Sequence, residues 1–475
     1  MAHALLIIPI VSALLALLVR DNHQRPWVVV AAAVLHLAVT ALLLAGVIAP
    51  PDNTWFWLDP PGRLVLGLVS TLFLAVAVYG VGYLRYRKER NNRIFLCCLS
   101  ALLGVLTLAI LARHLGLMWV AIEASALAAA PLIYFNKNPR SIEATWKYLL
   151  VGSVGIALAL LGTFFIAYSA VHAGAEPSLA FDDLARTAPE LSKPWLKAGF
   201  VLILVGYGTK MGLAPMHTWK PDAYGEAPGL AGALFAGGVT SAAFLAILRI
   251  LRVTYAAGEG EYATSLLLGM GLFSMGIAGA MLVGQRDMKR MLAYSSVEHM
   301  GILAIGVGLG RAGTFGALLH LLANGLTKGV LFLSVANLHR GYQSRIAGPV
   351  RGALRGMPLS AGLFLVGFFA ITGAPPFGPF ISELTIARAA FGGEHVLAGV
   401  LFLLFLLIVF VGMGQTVMLM AFGEGPPPTT TWRDRRATTA PIVGLLLLVL
   451  MLGTFIPEPL TALLRENVAW LEVAP

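Results

Sequence analysis

Charge and cysteine are scarce in this sequence. Of its 475 residues, 12% are Asp, Glu, Lys or Arg and only two are cysteine, whereas 58% are hydrophobic and the mean hydropathy is +0.82. Soluble globular domains carry about 25% charged residues, so this composition excludes a water-soluble enzyme. We conclude that the chain is an integral membrane protein.

The lack of cysteine also limits the cofactors. Cys97 and Cys98 are neighbours, and adjacent residues of a helix point roughly 100° apart. The pair alone therefore cannot form a disulfide, a zinc site or an iron–sulfur site. GLGRAG at 308–313 matches GxGxxG, but it ends an apolar helix and follows no strand, which argues against dinucleotide binding. We expect no cofactor, no metal ion and no redox chemistry by the chain itself.

What the sequence does contain is a series of apolar segments, each long enough to cross a hydrocarbon core of roughly 30 Å. They are continuously apolar rather than alternating, which favours an all-α membrane protein over a β-barrel. This length rule predicts about fourteen transmembrane helices. They begin near Ala4, Trp27, Leu64, Ile94, His114, Trp146, Leu196, Gly229, Ala263, Lys289, Thr314, Leu359, His395 and Ala440.

Most basic residues lie in odd-numbered connections between these helices. The three richest connections contain Arg85, Arg87, Lys88, Arg90 and Arg93, then Arg340, Arg345, Arg351 and Arg355, and then Arg433, Arg435 and Arg436. This distribution indicates cytoplasmic loops rather than a nucleic-acid-binding surface, although the net charge is +10. Both termini are then expected on the outer face of a prokaryotic plasma membrane. No cleavable signal peptide is expected, because the first apolar stretch lacks a basic leader.

Ionisable residues recur deep inside the apolar helices. One such residue costs about 2.5 to 3.5 kcal/mol at the bilayer centre, so a row of them suggests a function. The row comprises Glu123 in helix 5, Lys210 in helix 7, Lys328 in helix 11 and Glu383 in helix 12, all at nearly one depth by a rise of about 1.5 Å per residue. Structural ion pairs need not share a plane. For Lys328, a side chain that snorkels to the interface is the main alternative.

Helix 11 adds a polar stripe to this row. His320, Asn324 and Lys328 are each four residues apart and share one helix face over about 12 Å. A lone histidine is more often a packed polar residue than a proton carrier. A buried lysine, however, releases its proton more readily unless a carboxylate is near. A Glu/Lys pair can therefore act as a switch, and lysine, histidine and water can form a relay.

Two of the predicted helices are interrupted by proline. In helix 7 the interruption is at Pro215, beyond Lys210 and before His217; in helix 12 it is GAPPFGPF at 373–380, just before Glu383. Paired broken helices in two halves of a membrane protein indicate an internal repeat with ion sites at the breaks. We predict two five-helix repeats, helices 4–8 and 9–13. The second is inverted because five is odd.

The predicted organisation has four parts. They are three N-terminal helices at 1–93, the first repeat at 94–252, the second repeat at 263–422 and a C-terminal helix at 440–475. Each repeat would form one half of a pathway across the membrane.

Several motifs together resemble a known family. They are WVAIE at 119–123, KMGLAPMHTWKPDAYGEAP at 210–228 and DMKRMLAYSS at 287–296. These residues are similar to those of the antiporter-like subunits of respiratory complex I, a family that includes Mrp-type antiporter subunits and large membrane subunits of hydrogenase-4 and formate hydrogenlyase. EATWKYLL at 143–150, YSSVEHMG at 294–301 and FISE at 380–383 most resemble the F subunits of hydrogenase-4.

The resemblance implies roles for the buried row. Glu123 corresponds to the acidic switch partner and Lys210 to the proton-binding lysine of the first half-channel. His320 and Lys328 correspond to the central relay, and Glu383 to the terminal residue of the second half-channel.

One position departs from the family pattern. Many relatives have Lys or His in helix 8 where this sequence has Ser241. Glu298 and His299 could bridge that position through water, or the pathway could be interrupted there. We include both residues and His217 in the predicted proton pathway.

We therefore expect a proton-translocating membrane subunit of a multisubunit redox complex, similar to hydrogenase-4 or NADH:quinone oxidoreductase. Its partners would be homologous membrane subunits, peripheral redox subunits and the lipid bilayer. One alternative is an Mrp-type cation/proton antiporter subunit, or a proton-coupled energising subunit of a transport complex, which could also move Na⁺. A second alternative is a scaffold, which gives no reason for two broken helices beside ionisable residues.

Overall fold

A computed structural model describes residues 3–86, 90–174 and 178–472. Arg87 and Lys88, two members of the first basic connection, lie outside the described residues. The α-helices in chain order are α1 (Ala4–Leu18), α2 (Arg25–Leu44), α3 (Pro60–Arg85), α4 (Arg93–Leu111), α5 (Leu115–Ile133), α6 (Pro139–His172), α7 (Phe181–Thr187), α8 (Lys193–Met211), α9 (Trp219–Glu226), α10 (Gly229–Leu234), α11 (Thr240–Ala256), α12 (Gly260–Leu282), α13 (Met288–Gly308), α14 (Arg311–Tyr342), α15 (Ala353–Gly356), α16 (Pro358–Ile371), α17 (Gly378–Gly392), α18 (Val396–Ala421), α19 (Arg436–Thr454) and α20 (Glu458–Glu472).

The helices are those of a membrane protein. A π-helical segment, Phe235–Val239, joins α10 to α11 into one helix of membrane length. When this helix is counted once, eleven helices of the described chain are long and apolar enough to cross a bilayer. α1 and α16 are shorter apolar helices. Every predicted starting position lies in a helix or next to one. The all-α membrane fold is confirmed, while the number of fourteen crossings stays a prediction.

Two arginines show how the connections are sorted onto two faces. Arg345 makes ion pairs of 2.7 Å with Glu226 and Asp287, which joins three odd-numbered connections. On the opposite face Arg113 pairs with Asp52 at 2.9 Å and also with Asp182, which joins three even-numbered connections. We call these the odd face and the even face.

Both described ends of the chain lie at the even face. The ring of His3 is 6.2 Å from that of Phe56 in the second connection. At the other end α20 pairs with the start of α3 through Glu466 and Arg63. This last helix was not predicted. α19 ends at Thr454, three residues before Pro457, and the chain then forms α20.

Two helices form the centre of the fold. The membrane-length windows of Gly229–Ala256 and of α14 are completely buried, whereas most other helices expose one side. α8 packs against α6 and α11, and in the second half α14 packs against α16 and α17, which in turn contact α18. Each broken helix therefore lies between its neighbours in chain order. The inverted repeat itself and the four-part division stay predictions.

Candidate functional site

The first break separates α8 from α9. A helix end leaves carbonyl groups without donors, and here side chains from α9 supply them. Trp219 Nε1 donates to Thr209 O at 2.9 Å, and Lys220 Nζ donates to Met211 O at 2.8 Å. Gly212 ends α8 in a left-handed conformation with φ +88°. The two halves of the broken helix are thus held together by side chains rather than by a continuous backbone ladder.

Lys210 lies in the last turn of α8 and is only 1% exposed. Its Nζ donates to the Tyr148 hydroxyl at 3.1 Å and lies 4.8 Å from the centre of the Tyr148 ring. Glu123 interacts electrostatically with both of these residues, but no ion pair within the described chain joins it directly to Lys210. Tyr148 of α6 is therefore a direct partner of the lysine that the sequence did not indicate.

Glu123 has bonding capacity to spare. Its Oε1 accepts a hydrogen bond from the Ser153 hydroxyl at 3.2 Å, whereas its Oε2 is buried and has no protein partner. The carboxylate can therefore bond a water molecule without losing Ser153. A water between Glu123 and Tyr148 or Lys210 would complete the predicted switch.

Lys328 lies in the middle of α14 and is fully buried. Its Nζ donates to Ser295 Oγ at 2.8 Å and to Leu292 O at 3.4 Å, both on α13. Glu298, one turn further along α13, is its acidic neighbour. These contacts exclude the alternative in which Lys328 snorkels to the interface, because its amine points into the protein.

A pair of histidines continues this cluster. His299 Nδ1 and His320 Nε2 are 2.9 Å apart, and His320 Nδ1 is 2.9 Å from the Ser382 hydroxyl, which lies 2.8 Å from Pro379 O. If Ser382 donates to that carbonyl, His320 must donate from Nδ1 and accept at Nε2, and His299 must donate from Nδ1. The lone pair of His299 then lies at Nε2.

That free nitrogen is aimed at a carboxylate. His299 Nε2 is 3.8 Å from Glu298 Oε2, and neither atom has a hydrogen-bond partner within the protein. A proton on Glu298 could pass through water to His299 and then to His320 by exchange along the hydrogen bond. In this hydrogen-bonded chain, each histidine can accept a proton at one ring nitrogen and donate one from the other.

Glu383 completes the second half of the row. It lies on α17 and is 6% exposed, and its Oε1 is buried without a protein partner. One ligand atom each from His299, His320 and Glu383 lie within 4.8 Å of one another. This triad is also the group of described residues that could coordinate a metal ion. The absence of a metal and of a cofactor stays a prediction.

The two remaining predicted positions differ in what surrounds them. His217 lies in the first break and is 8% exposed, with Nδ1 buried and unpartnered. Ser241 instead donates to Gly237 O of its own helix at 2.6 Å. Glu298 and His299 contact members of the second half, and no hydrogen bond between described residues links them to Ser241. The predicted residues therefore make no hydrogen-bonded connection at Ser241 within the described chain.

Sequence reasoning missed a buried lysine in the first break. Lys220 is fully buried, and its Nζ reaches Ser296 O of α13 at 3.4 Å in addition to Met211 O. The available signal was a charged residue in the second half of a broken helix, in a chain with little charge. That signal applied equally to Glu383, which was predicted.

Five of the eight predicted pathway residues share one property. Each of these five has a buried polar atom without a protein hydrogen-bond partner: Glu123 Oε2, His217 Nδ1, Glu298 Oε2, His299 Nε2 and Glu383 Oε1. Buried polar atoms in folded proteins are nearly always bonded, if not to protein then to water. Each of these five atoms therefore has bonding capacity for a water molecule.

Comparison with known proteins places this arrangement in a family. Residues 112–411 match the family model described as "NADH:quinone oxidoreductase/Mrp antiporter, TM". The chain belongs to this family. Its matched region extends from the start of α5 into α18, so it contains both broken helices and every residue of the predicted pathway.

Full-length family members are similar over almost the whole chain. A hydrogenase-4 component F homolog of Methylacidiphilum infernorum is 31% identical over 465 residues, which is 96% of each chain. An NADH-quinone oxidoreductase subunit N of Desulforudis audaxviator is 32% identical over 441 residues, 89% of this chain and 86% of the relative.

Solved structures share the fold. A chain of the membrane-bound sulfane sulfur reductase, an archaeal respiratory membrane complex, has a TM-score of 0.88 at 21% identity and covers 99% of this chain and 97% of its own. A chain of the Mrp complex from Dietzia sp. DQ12-45-1b has a TM-score of 0.86 at 19% identity with the same coverage. At these identities the likeness concerns the fold alone.

Proposed function

We propose that this family member is a proton-translocating membrane subunit of a multisubunit redox complex. Protons would move along Glu123, Lys210, His217, Glu298, His299, His320, Lys328 and Glu383. The observation that carries the proposal is the buried hydrogen-bonded chain from His299 through His320 to Ser382, beside the bond of Lys328 to Ser295 on the same helix, α13.

The first half supplies the switch. Lys210 is bonded to a neutral phenol rather than to a carboxylate, so its charge depends on the nearby but separate Glu123. A change in the hydration or position of Glu123 would alter the affinity of Lys210 for its proton. The break beyond Lys210 allows this change, because the backbone there is not fixed by helical hydrogen bonds.

The assembly would resemble those of the relatives. The names of the sequence relatives refer to hydrogenase-4 and to NADH-quinone oxidoreductase, and a redox complex of either kind would couple electron transfer in other subunits to proton movement here. The chain itself would carry out no redox chemistry. An Mrp-type antiporter subunit is the alternative, and the fold shared with the Mrp complex agrees with it equally well.

The test is proton uptake by proteoliposomes that contain the complex purified with its native partners, during turnover with its redox substrates. Lys210→Met removes the proton site and Glu123→Gln removes its switch. Both should assemble, because each makes the interior less polar, and both should reduce proton uptake to about the leak level. The double variant should be no worse than Lys210→Met, since the two residues act as one unit.

A matched control is available on the even face. Lys197→Met removes a lysine that pairs with Glu259 at 2.8 Å, far from the pathway, and should pump normally. If Lys210→Met pumps at the wild-type ratio, Lys210 is structural and the proposal is wrong. If instead the purified partners contain no redox subunit and uptake depends on a cation gradient, the chain is an antiporter subunit.

The proposal includes an orientation in the plasma membrane, with the odd face in the cytoplasm and both termini outside. In a variant with Cys97 and Cys98 replaced by alanine, a cysteine at Gln343 should be labelled only from the cytoplasmic side. A cysteine at Glu261, on the even face, should be labelled only from outside. The reverse pattern would contradict the orientation and leave the pathway unchanged.

A further inference from the structure

The two half-pathways meet at Lys220. Its Nζ donates to Met211 O, the residue after Lys210, and to Ser296 O, the residue after Ser295, to which Lys328 is bonded. Lys220 also interacts electrostatically with Lys328. Through these hydrogen bonds Lys220 joins the end of α8 to this turn of α13.

We propose that Lys220 is the central proton carrier of this chain, which passes protons between Lys210 and Lys328. It would take the role of the Lys or His that many relatives have in helix 8, where this sequence has Ser241. This inference rests on the proposed function. In the step considered, the Lys210 ammonium gives a proton through water to the Lys220 amine, and the Lys220 ammonium then gives one to the Lys328 amine. Each transfer breaks one N–H bond and forms another, so atoms and charge balance.

The chain makes room for this side chain. A Cβ atom at Gly212 would lie 2.6 Å from Cδ and 2.7 Å from Nζ of Lys220. Glycine is therefore required there both by its φ of +88° and by the approach of the lysine. The second break has the same construction, because Gly373, with φ +69°, lies against the carboxylate of Glu383. In each broken helix, an ionisable side chain from the second half thus packs against a glycine just beyond the end of the first half.

Capping alone does not account for a lysine at this position. Trp219 caps the neighbouring Thr209 carbonyl with a neutral N–H group, and a neutral donor would serve Met211 O equally well. Burying an ammonium group is costly unless it is paired, and no carboxylate of the described residues forms an ion pair with Lys220.

The bonds of Lys220 also suit proton exchange. A neutral amine has two N–H groups and one lone pair, whereas an ammonium has three N–H groups. The two carbonyl bonds can therefore be kept in both states, while the third position gains or loses the proton. The like charge of Lys328 nearby makes simultaneous protonation of both lysines unfavourable. Arrival of a proton at one lysine thus favours its release from the other.

The experiment replaces Lys220 by glutamine, which keeps an N–H donor but cannot titrate. Proton uptake per turnover in proteoliposomes of the native complex should fall by about tenfold or more, with unchanged assembly. Lys289→Gln is the matched control, because Lys289 is also a buried lysine that donates to a backbone carbonyl, Ala227 O at 2.9 Å, but lies at the odd face outside the proposed pathway. It should pump at the wild-type ratio.

Lys220→Arg provides a second variant. Arginine keeps the cap and the positive charge but does not release its proton in proteins, so it should also fail to pump if Lys220 is a carrier. Wild-type pumping by either assembled Lys220 variant would overturn the inference. So would failure of both variants to assemble while Lys289→Gln assembles, since Lys220 would then be a structural cap.

The outcome is distinguishable from that of the proposed function. Loss of pumping in Lys210→Met together with normal pumping in Lys220→Gln would reject the central carrier and keep the pathway. Normal pumping in Lys210→Met would reject the pathway itself.

Discussion

Two buried charged regions of this molecule differ in how completely their hydrogen bonds are satisfied. At the even face Arg249 and Asp59 are both fully buried and joined by two bonds of 2.8 and 2.7 Å. The other N–H groups of Arg249 donate to the carbonyls of Ala109, Ile110 and Ala112 at the end of α4. All five donors of the guanidinium are used.

The central row is bonded differently. Its carboxylates and two of its histidines keep an atom without a protein partner, as Glu298 Oε2 and His299 Nε2 do, whereas both ring nitrogens of His320 are bonded. A saturated ion pair holds helices together and has no capacity to receive a further proton. A group with spare capacity must bond water, and water provides the route by which protons arrive. Bonding capacity, rather than burial or charge, separates this structural ion pair from the proposed pathway.

The largest effect is expected when the fully hydrogen-bonded Arg249 loses its carboxylate partner. Asp59→Ala leaves the Arg249 charge buried and unpaired, so we expect a loss of about 3 to 5 kcal/mol of stability. Thermal unfolding in detergent and membrane yield would measure it. Asp52→Ala on the same face should cost under about 1 kcal/mol, because Asp52 is exposed. Equal stability of the two variants would contradict the comparison.

A smaller effect is expected at the second break. In Gly373→Ala the new methyl group would occupy the place of the Glu383 carboxylate, so we expect pumping to fall about tenfold. Backbone strain should add a cost of about 1 to 3 kcal/mol. Gly284→Ala has similar strain at φ +76° with nothing within 4 Å, and it should destabilise the protein without reducing proton uptake per turnover. A matching loss of pumping in Gly284→Ala would show that strain, not Glu383, is responsible.

Ser382→Ala tests the hydrogen-bonded chain from His299 through His320 to Ser382. Removing the hydroxyl that fixes the His320 ring should cost about 1 kcal/mol and lower the rate of proton uptake several-fold, because both histidines must keep matching orientations. Ser12→Ala removes a buried hydroxyl pair with Ser100 in the N-terminal helices, at 2.9 Å, and should leave the rate unchanged. An unchanged rate in Ser382→Ala would mean that His320 is oriented by other contacts.

The smallest effect concerns a partly exposed pair on the even face. A hydrogen bond from Arg113 lowers the pKa of Asp182 below its ordinary value. The pair therefore contributes stability that is fully present above the ordinary carboxyl pKa and is lost as the pH falls through the lowered one. Because Asp182 is partly exposed, the contribution should be under about 1 kcal/mol. The difference in unfolding midpoint between wild type and Asp182→Asn should shrink on acidification from pH 6, and a constant difference would contradict the assignment.

The sequence by itself determined the class of the protein and most of its central row. The length of each apolar run depends only on local composition, so every predicted helix start except that of α6 lies within four residues of the observed one. Proline removes a backbone donor and disfavours a continuous helix, and the prolines at 215 and within 373–380 located both breaks, although Pro131 and Pro441 lie inside continuous helices. The cost of burying charge made Glu123, Lys210, Lys328 and Glu383 recognisable without any knowledge of their neighbours.

Only the tertiary structure decided which of these groups meet. Lys220 reaches Ser296 and Arg249 reaches Asp59 across 76 and 190 residues of chain, and His320 is placed between His299 and Ser382 by the packing of three helices. No local pattern encodes such contacts, because they follow from how the helices pack together and where each side chain ends. For the same reason Glu123 and Lys210, paired by expectation, are separated in the structure, with Tyr148 as the partner of the lysine.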